Sequence, residues 1–467
     1  MRIVMLSWEY PPRVVGGISA HVKDLSEHLV QKGLEVHVLT RSATNAPKDE
    51  VCAEGVHIHR VDVPGEPKDF LHEIHLLNVT MEKRCRELLE EWRERGEPTM
   101  LHAHDWLTFE CAKAIKYDYQ LPLIATIHAT EAGRFGSISN AVQRFIHDQE
   151  YQLTYEAWRV IVCSQFMREE LRRLFEVPFD KIDVIYNGVK FEPDQPETSE
   201  DERVAVRGLF AGENQRLVLY VGRFVYEKGI HTLLDAIPTV LSQVPETRFV
   251  VVGGGDSDRY AQFLNWFGFG DRVIFPGFLR SADLKKLYRA CDVAVFPSIY
   301  EPFGIVALEA MAAGAPVVSS DAGGLPEVVR HNLTGTTHYA GNAESLAWAI
   351  RRVLTDESRA KRLTSNAQRR LILDFSWDRL ADLTIATYEA IWEEFLTSHH
   401  AGDSIWPVSD GAFERAKLSG VSEKATKPIE IRRPTSTAKY DGTPILQRLH
   451  EEFEEQAKDL PIAKAEK

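Results

Sequence analysis

Two carboxylates, Glu301 and Glu309, bracket Phe303-Gly304 in the segment Pro297-Ser298-Ile299-Tyr300-Glu301-Pro302-Phe303-Gly304-Ile305-Val306-Ala307-Leu308-Glu309-Ala310-Met311-Ala312. The segment predicts a helix starting at Phe303-Gly304. A helix start offers unpaired backbone N–H groups and the positive end of a dipole, so it favours a ligand with anionic or hydroxyl oxygens. Glu309 falls on the second turn, where its carboxylate can accept hydrogen bonds from ligand hydroxyls. Glu301 sits on the loop just before. A carboxylate only accepts, and it suits a polyol better than a phosphate. With the amides around Phe303, Gly304 and Ile305, the segment reads as a site for a sugar carried on a nucleoside diphosphate. Taken alone, two glutamates at this spacing read as well as solvated helix charges, so the decision falls to the other chemistry-bearing segments.

Val221-Gly222-Arg223-Phe224-Val225-Tyr226-Glu227-Lys228-Gly229 ends a strand and carries two cations, Arg223 and Lys228, into a helix. Their physical role would be to neutralise a departing diphosphate. Ser7-Trp8-Glu9-Tyr10-Pro11-Pro12 ends the first strand, and Gly16-Gly17 opens the first helix. Such a pair lets backbone approach a phosphate closely, or simply serves a turn. Val251-Val252-Gly253-Gly254-Gly255 ends another strand in a nucleotide-sized turn at Gly254, and Asp256-Ser257-Asp258 after it reads as a loop or helix cap rather than a metal site. His102-Ala103-His104-Asp105-Trp106 places His104 and Asp105 at a strand end facing a cleft, with Trp106 either stacking on a sugar or buried. Two histidines and an aspartate allow a metal site, but no further ligand cluster accompanies them, and no metal is expected. Thr126-Ile127-His128-Ala129 ends a strand at His128, and Asp321-Ala322-Gly323-Gly324 is a further strand-to-helix glycine pair.

Taken together in this order, over roughly residues 1–395, the segments resemble those of retaining glycosyltransferases with the two-domain GT-B fold. The chain is similar to the glycogen- and starch-synthase and sucrose-synthase group, of the family 4 type. The resemblance implies transfer of a sugar, glucose for preference, from a nucleoside-diphosphate sugar to an α-glucan or related glucose acceptor, with retention and without a metal or cofactor. It implies that Gly16, Gly17, Arg223, Lys228, Gly254, Glu301, Phe303, Gly304, Ile305 and Glu309 bind the donor. His104, Asp105 and Trp106 would bind the acceptor, and His128, Arg223, Lys228 and Glu301 would serve catalysis. It also implies that Gly323-Gly324 closes the donor pocket. Two positions depart from the glucan-synthase pattern. Val14 stands where the Lys-x-Gly-Gly motif has its lysine, and Ala129 where an asparagine follows the histidine. These departures keep open other acceptors (envelope glycan, trehalose, sucrose or maltose-phosphate type) and a glucan-binding protein without turnover. A dehydrogenase is a poorer reading, because neither glycine segment has the dinucleotide spacing followed by a ribose-binding acid.

The elements that must position these residues are legible as alternating β-branched runs and amphipathic helices. Ile3–Leu6, Val36–Leu39, His57–Val61, Met100–His102, Leu123–Ile127, Val160–Cys163 and Ile182–Ile185 predict parallel strands of a first doubly wound α/β domain over 1–188. Leu217–Val221, Arg248–Val252, Val273–Pro276, Val293–Pro297 and Pro316–Ser319 predict a second over 189–375. A helix over 376–398 would cross back onto the first domain. The charged, Pro/Ser/Thr-rich stretch 399–467 reads as a poorly ordered tail, with one possible helix over 444–458.

At 467 residues the chain exceeds one hydrophobic core, and 44% apolar content is ordinary for a soluble protein. A net charge of −14 argues against a nucleic-acid partner. Five scattered cysteines suit free thiols of a reducing cytoplasm. No apolar run has the length of a membrane span.

Overall fold

The computed structural model describes residues 1–93, 97–191 and 199–398. The expected tail and its helix over 444–458 lie outside them. Among the described residues, fourteen strands form two sheets. The first runs β3-β4-β2-β1-β5-β6-β7-β8 and the second β11-β10-β9-β12-β13-β14. In chain order the first sheet comprises β1 (Arg2–Leu6), β2 (Glu35–Arg41), β3 (Asp49–Val51), β4 (His57–Val61), β5 (Thr99–His104), β6 (Leu123–Ile127), β7 (Arg159–Val162) and β8 (Ile182–Val184). The second comprises β9 (Arg216–Val221), β10 (Thr247–Val252), β11 (Val273–Gly277), β12 (Val293–Phe296), β13 (Val317–Ser320) and β14 (Thr336–His338). Every pairing is parallel except β3 with β4. The apolar runs are buried as expected: every residue of β1, β5 and β6 is buried.

Sheet order dictates where a ligand can sit. Each strand order reverses at its centre, between β1 and β5 in one sheet and between β9 and β12 in the other. A crevice opens beyond the carboxyl ends of the strands at such a reversal. The loops that leave those four strands carry Ser7–Gly17, Asp105, Arg223–Lys228 and Pro297–Gly304. The segments selected for their chemistry are therefore those the two topologies place at their crevices.

The final helix, Trp377–Thr397, packs on the first sheet, with Trp377, Leu380, Tyr388, Ile391 and Phe395 in one core with Ile3, Met5, Leu25 and Leu29. Lys32 binds both Asp378 and Asp382 at 2.7 Å, and the Tyr388 hydroxyl meets His102 Nδ1 at 2.7 Å. The two chain segments that cross between the sheets touch each other, Val189 N donating to the Phe375 carbonyl at 3.0 Å. Gly188 lies beneath Trp377, where an added Cβ would stand 2.5 Å from the indole.

Polar contacts fasten the two domains together. Glu327, from the helix Leu325–Val328, accepts from Gln165 N and Phe166 N, both at 2.9 Å, at the start of the helix Gln165–Phe175. Ser164 Oγ donates to the Pro302 carbonyl at 2.7 Å. A carboxylate at a helix N-terminus satisfies orphan donors and complements the dipole. Glu327→Ala is expected to lower stability by about 1–3 kcal/mol, seen as a lower midpoint in thermal melts of the purified protein.

Candidate active site

The site is built from backbone first. Gly229 has φ +66°, and a Cβ there would lie 1.9 Å from the Pro297 carbonyl oxygen. Only glycine lets the Arg223–Lys228 loop press this closely on the end of β12. The contact is sealed by Ile299 N and Tyr300 N, which donate to the Glu227 carbonyl at 2.8 and 3.2 Å. Two motifs more than seventy residues apart thereby become one wall. Across it Lys228 Nζ donates to Glu301 Oε2 at 2.7 Å. Arg223 lies further out and pairs with Glu227 at 3.2 Å.

Glu301 is buried, and its other nearby donor is the Ser298 hydroxyl at 3.3 Å. Its backbone is clasped by the second glycine pair. Gly324 N donates to the Glu301 carbonyl at 2.8 Å, and a Cβ on Gly323 (φ +58°) would stand 2.0 Å from that same oxygen. Gly323-Gly324, expected to close the donor pocket, here holds the Glu301–Phe303 loop in place.

The helix Ile305–Ala312 starts at Gly304, which has φ +111°. Phe303 is buried against Tyr186 and Phe375, with ring centroids 5.6 and 6.0 Å away, so what it presents to the cleft is its backbone. Facing this helix start is the start of another, Gly17–Gln31 of the first domain. A Cβ on Gly17 would lie 2.9 Å from Ile305 Cδ1. Two helix N-termini, one from each domain, therefore meet at the cleft and add their positive ends.

Glu9, which the sequence reading passed over within its motif, accepts from Val15 N and from Gly16 N, the latter at 3.0 Å. It thus shapes the glycine loop and takes up the Gly16 amide. Burial is the main reason its carboxyl titrates above the usual range, against the opposing pull of those amides. Gly254 has open space where a Cβ would go, and its carbonyl accepts from Phe224 N at 2.8 Å.

Glu309 lies on the second turn of its helix and faces the first domain. No hydrogen bond reaches its carboxylate among the described residues. Burial pushes its pKa up to about 7, with Lys285 pulling down and Asp24 of the first domain adding to the rise. A folded value above the usual 4.5 means stability that is whole below about pH 4.5 and lost as pH rises through about 7. Glu309→Gln removes that titration. The variant is expected to melt above the parent at about pH 8.5, with the gap closing near pH 4.5; scanning calorimetry at the two pH values checks it.

On the other wall, Asp105 has φ +59°, a strained value for a non-glycine residue. The conformation lets its N–H donate to the Thr126 carbonyl at 2.9 Å and its Oδ1 accept from His128 N at 2.7 Å. It thereby fixes the backbone of His128 at the tip of β6. His104 is fully buried behind it, its Nδ1 3.2 Å from His128 Nε2. His21 joins them from the first helix, with its Nδ1 2.7 Å from Asn187 Oδ1. The ring nitrogens of His21, His104 and His128 lie within 4.8 Å of one another, close enough to hold a metal ion. Burial drives His21 and His128 down to about 3, so both imidazoles are neutral at physiological pH. The structure thus brings His104 and Asp105 to the strand end but uses them to support His128. Trp106 is partly exposed and belongs to a chain of edge-to-face rings from Trp8 through Phe70 and Trp106 to Phe145. Phe70, Phe145 and His21 carried no signal beyond their residue type, because their neighbours come from remote segments.

Known proteins place this architecture. Residues 15–192 match the family model described as Glycosyltransferase Family 4, and residues 203–370 match that described as Glycosyl transferases group 1. An uncharacterised glycosyltransferase of Methanocaldococcus jannaschii is 38% identical over 395 residues, spanning 84% of this chain and 99% of that protein. The glycogen synthase of Mycobacterium tuberculosis is 36% identical over 419 residues, spanning 84% and 95%. Among solved structures, sucrose-phosphate synthase from Thermosynechococcus elongatus superposes with a TM-score of 0.71 at 26% identity, covering 84% of this chain and 99% of that one. The two facing parallel-sheet domains are the GT-B arrangement. No helix among the described residues is long and apolar enough to cross a membrane.

Proposed function

The chain belongs to the family 4 glycosyltransferases, and from that premise we propose that it moves glucose from a nucleoside-diphosphate donor to an α-glucan or related glucose acceptor, with retention of configuration. The observation that carries the reading is the meeting of the Gly17 and Ile305 helix starts beside the Lys228–Glu301 pair. That corner offers amide dipoles and a cation to a diphosphate, with carboxylates on either side for hydroxyls.

In this reading the diphosphate lies between the Gly17 amide and Lys228, with Arg223 at its outer edge. Glu309, unpartnered and facing the first domain, takes the ribose hydroxyls. Glu301 and the amides around Gly304 and Ile305 take the sugar hydroxyls. As the glycosidic bond breaks, charge grows on the leaving phosphate. The cation and amides, fixed in place beforehand, stabilise that charge, each such contact contributing about 3 kcal/mol. The backbone of His128, held by Asp105, faces the electron-poor sugar carbon. The neutral imidazole is no proton donor at pH 7, which leaves a departing phosphate oxygen to take the acceptor proton. Trp106 and its ring neighbours offer an apolar face to the acceptor sugar. The groups named supply the needed charge without a metal.

The test is a screen of ADP-, UDP- and GDP-glucose that reads nucleoside-diphosphate release with and without glycogen or maltose. Acceptor-dependent release with one donor and an α-linked product supports the reading. Release that no glucose acceptor stimulates, or a β-linked product, overturns it.

A further inference from the structure

One charged side chain in the cleft has no use in the scheme above. Arg134 lies on the short helix Glu131–Phe135, which follows β6 after His128, Ala129 and Thr130. This turn is anchored on both sides. Thr130 accepts from Gly133 N at 3.0 Å, and its own Oγ1 donates to Glu170 at 2.6 Å. Gly133 packs on Tyr300 of the second domain so closely that a Cβ would lie 2.4 Å from the Tyr300 hydroxyl oxygen. Arg134 is therefore held where the acceptor-side wall meets the residue that precedes Glu301.

Arg134 is an exposed residue, and among the described residues its guanidinium donates no hydrogen bond. That is unusual company for an arginine in this protein. Arg2, Arg207 and Arg370 each make several charge-assisted bonds. The acids around Arg134 have other duties. Asp105 accepts from His128 N, and Glu150 Oε1 accepts from Glu131 N at 2.8 Å. Glu150 Oε2 is buried without a partner. Burial raises the Glu150 carboxyl well above its usual range, against the pull of the Glu131 amide and of Arg134. Despite desolvation by its surroundings, Asp105 foremost among its neighbours holds the guanidinium above its usual value. A planar fork with its donors free, on a fixed turn within the acceptor half of the cleft, is matched to a phosphate or carboxylate group.

We infer that Arg134 is a specificity residue that binds the phosphate of a phosphorylated glucose acceptor entering past Trp106. The inference rests on the transferase reading and narrows its acceptor from glucose compounds at large to small sugar phosphates. The phosphate is a handle and takes no part in bond making; the acceptor hydroxyl attacks, and the nucleoside diphosphate leaves, as before.

The test compares the full-length parent with Arg134→Ala and Arg134→Lys. With the best donor fixed, KM and kcat are measured for glucose 1-phosphate and glucose 6-phosphate against glucose and maltose. Equilibrium binding of the same four sugars is measured by calorimetry with the nucleoside diphosphate present. The parent is expected to prefer one phosphorylated sugar over its neutral counterpart. Arg134→Ala is expected to raise KM and Kd for that sugar by at least about tenfold, leaving neutral sugars and donor KM within about threefold, and Arg134→Lys to fall between. Equal losses on neutral and phosphorylated sugars would make Arg134 a support for Asp105 and overturn the inference. A raised donor KM would assign it to the donor and overturn it too. So would a parent that binds neither sugar phosphate more tightly than glucose. The binding arm separates the two readings: selective phosphate binding without transfer sinks the transferase scheme alone.

Discussion

Lys228→Ala is expected to lower kcat/KM by at least about a hundredfold while the protein remains folded. In the proposed scheme the ammonium makes two contributions that vanish together. One is attraction for the leaving diphosphate, which is worth most where water is excluded and the cation is already in position. The other is its bond to Glu301 at 2.7 Å. Without Lys228, the buried Glu301 carboxylate keeps only the Ser298 hydroxyl at 3.3 Å, and a negative charge without its partner then faces an incoming anion. Loss of this partly buried pair costs about 1–3 kcal/mol of stability, too little to unfold a domain of this size. Nucleoside-diphosphate affinity is expected to fall with activity, and Lys228→Arg to restore part of both. If nucleotide affinity were unchanged and activity tracked the folded fraction alone, the lysine would be structural and the proposed diphosphate corner would be wrong.

Gly323→Ala is expected to cost about 2–4 kcal/mol of stability and to lose activity beyond what unfolding explains. Gly323 has φ +58°, and its Cβ would meet the Glu301 carbonyl oxygen at 2.0 Å, with the Glu301 amide nitrogen at 3.2 Å. Those are main-chain atoms that cannot swing aside as a side-chain tip does. Relief requires the Glu301–Phe303 segment to shift, which carries away the Glu301 carboxylate and the amides that start the next helix. Gly208→Ala is the control, since nothing lies within 4 Å of the added carbon. Thermal melts and kcat/KM on the two variants separate backbone clash from loss of a glycine as such.

The sequence was most informative where chemistry and periodicity coincide. The parallel strands announce themselves because both faces are buried and the residues are apolar throughout. Two strands escaped notice, Asp49–Val51 and Thr336–His338, each three residues long and lying at a sheet edge. An edge strand has one partner and too few residues for a pattern to emerge. At the site, Gly304 was legible as a helix start because the apolar run follows it at once. The pairing of Lys228 with Glu301 was not, since it depends on Gly229 admitting one loop against another. Likewise, nothing local distinguishes Glu327 from any surface glutamate: its partners, Gln165 N and Phe166 N, are backbone groups of another domain. Sequence reveals which residues suit a reaction and leaves to topology which of them are consumed in holding the others.

Consider finally the two crossing segments, where Val189 N bonds to the Phe375 carbonyl at 3.0 Å. The second sheet with its helices enters and leaves the rest of the chain at neighbouring points, while the helix Trp377–Thr397 is built into the core of the first sheet. The lobe carrying Lys228 and Glu301 is thus a cassette plugged into a scaffold at two points that lie side by side. Grafting the corresponding cassette from a relative would ask the scaffold to accept only two adjacent splices. On the function proposed above, donor choice would then be exchanged as a module, while the face that greets the acceptor stays native.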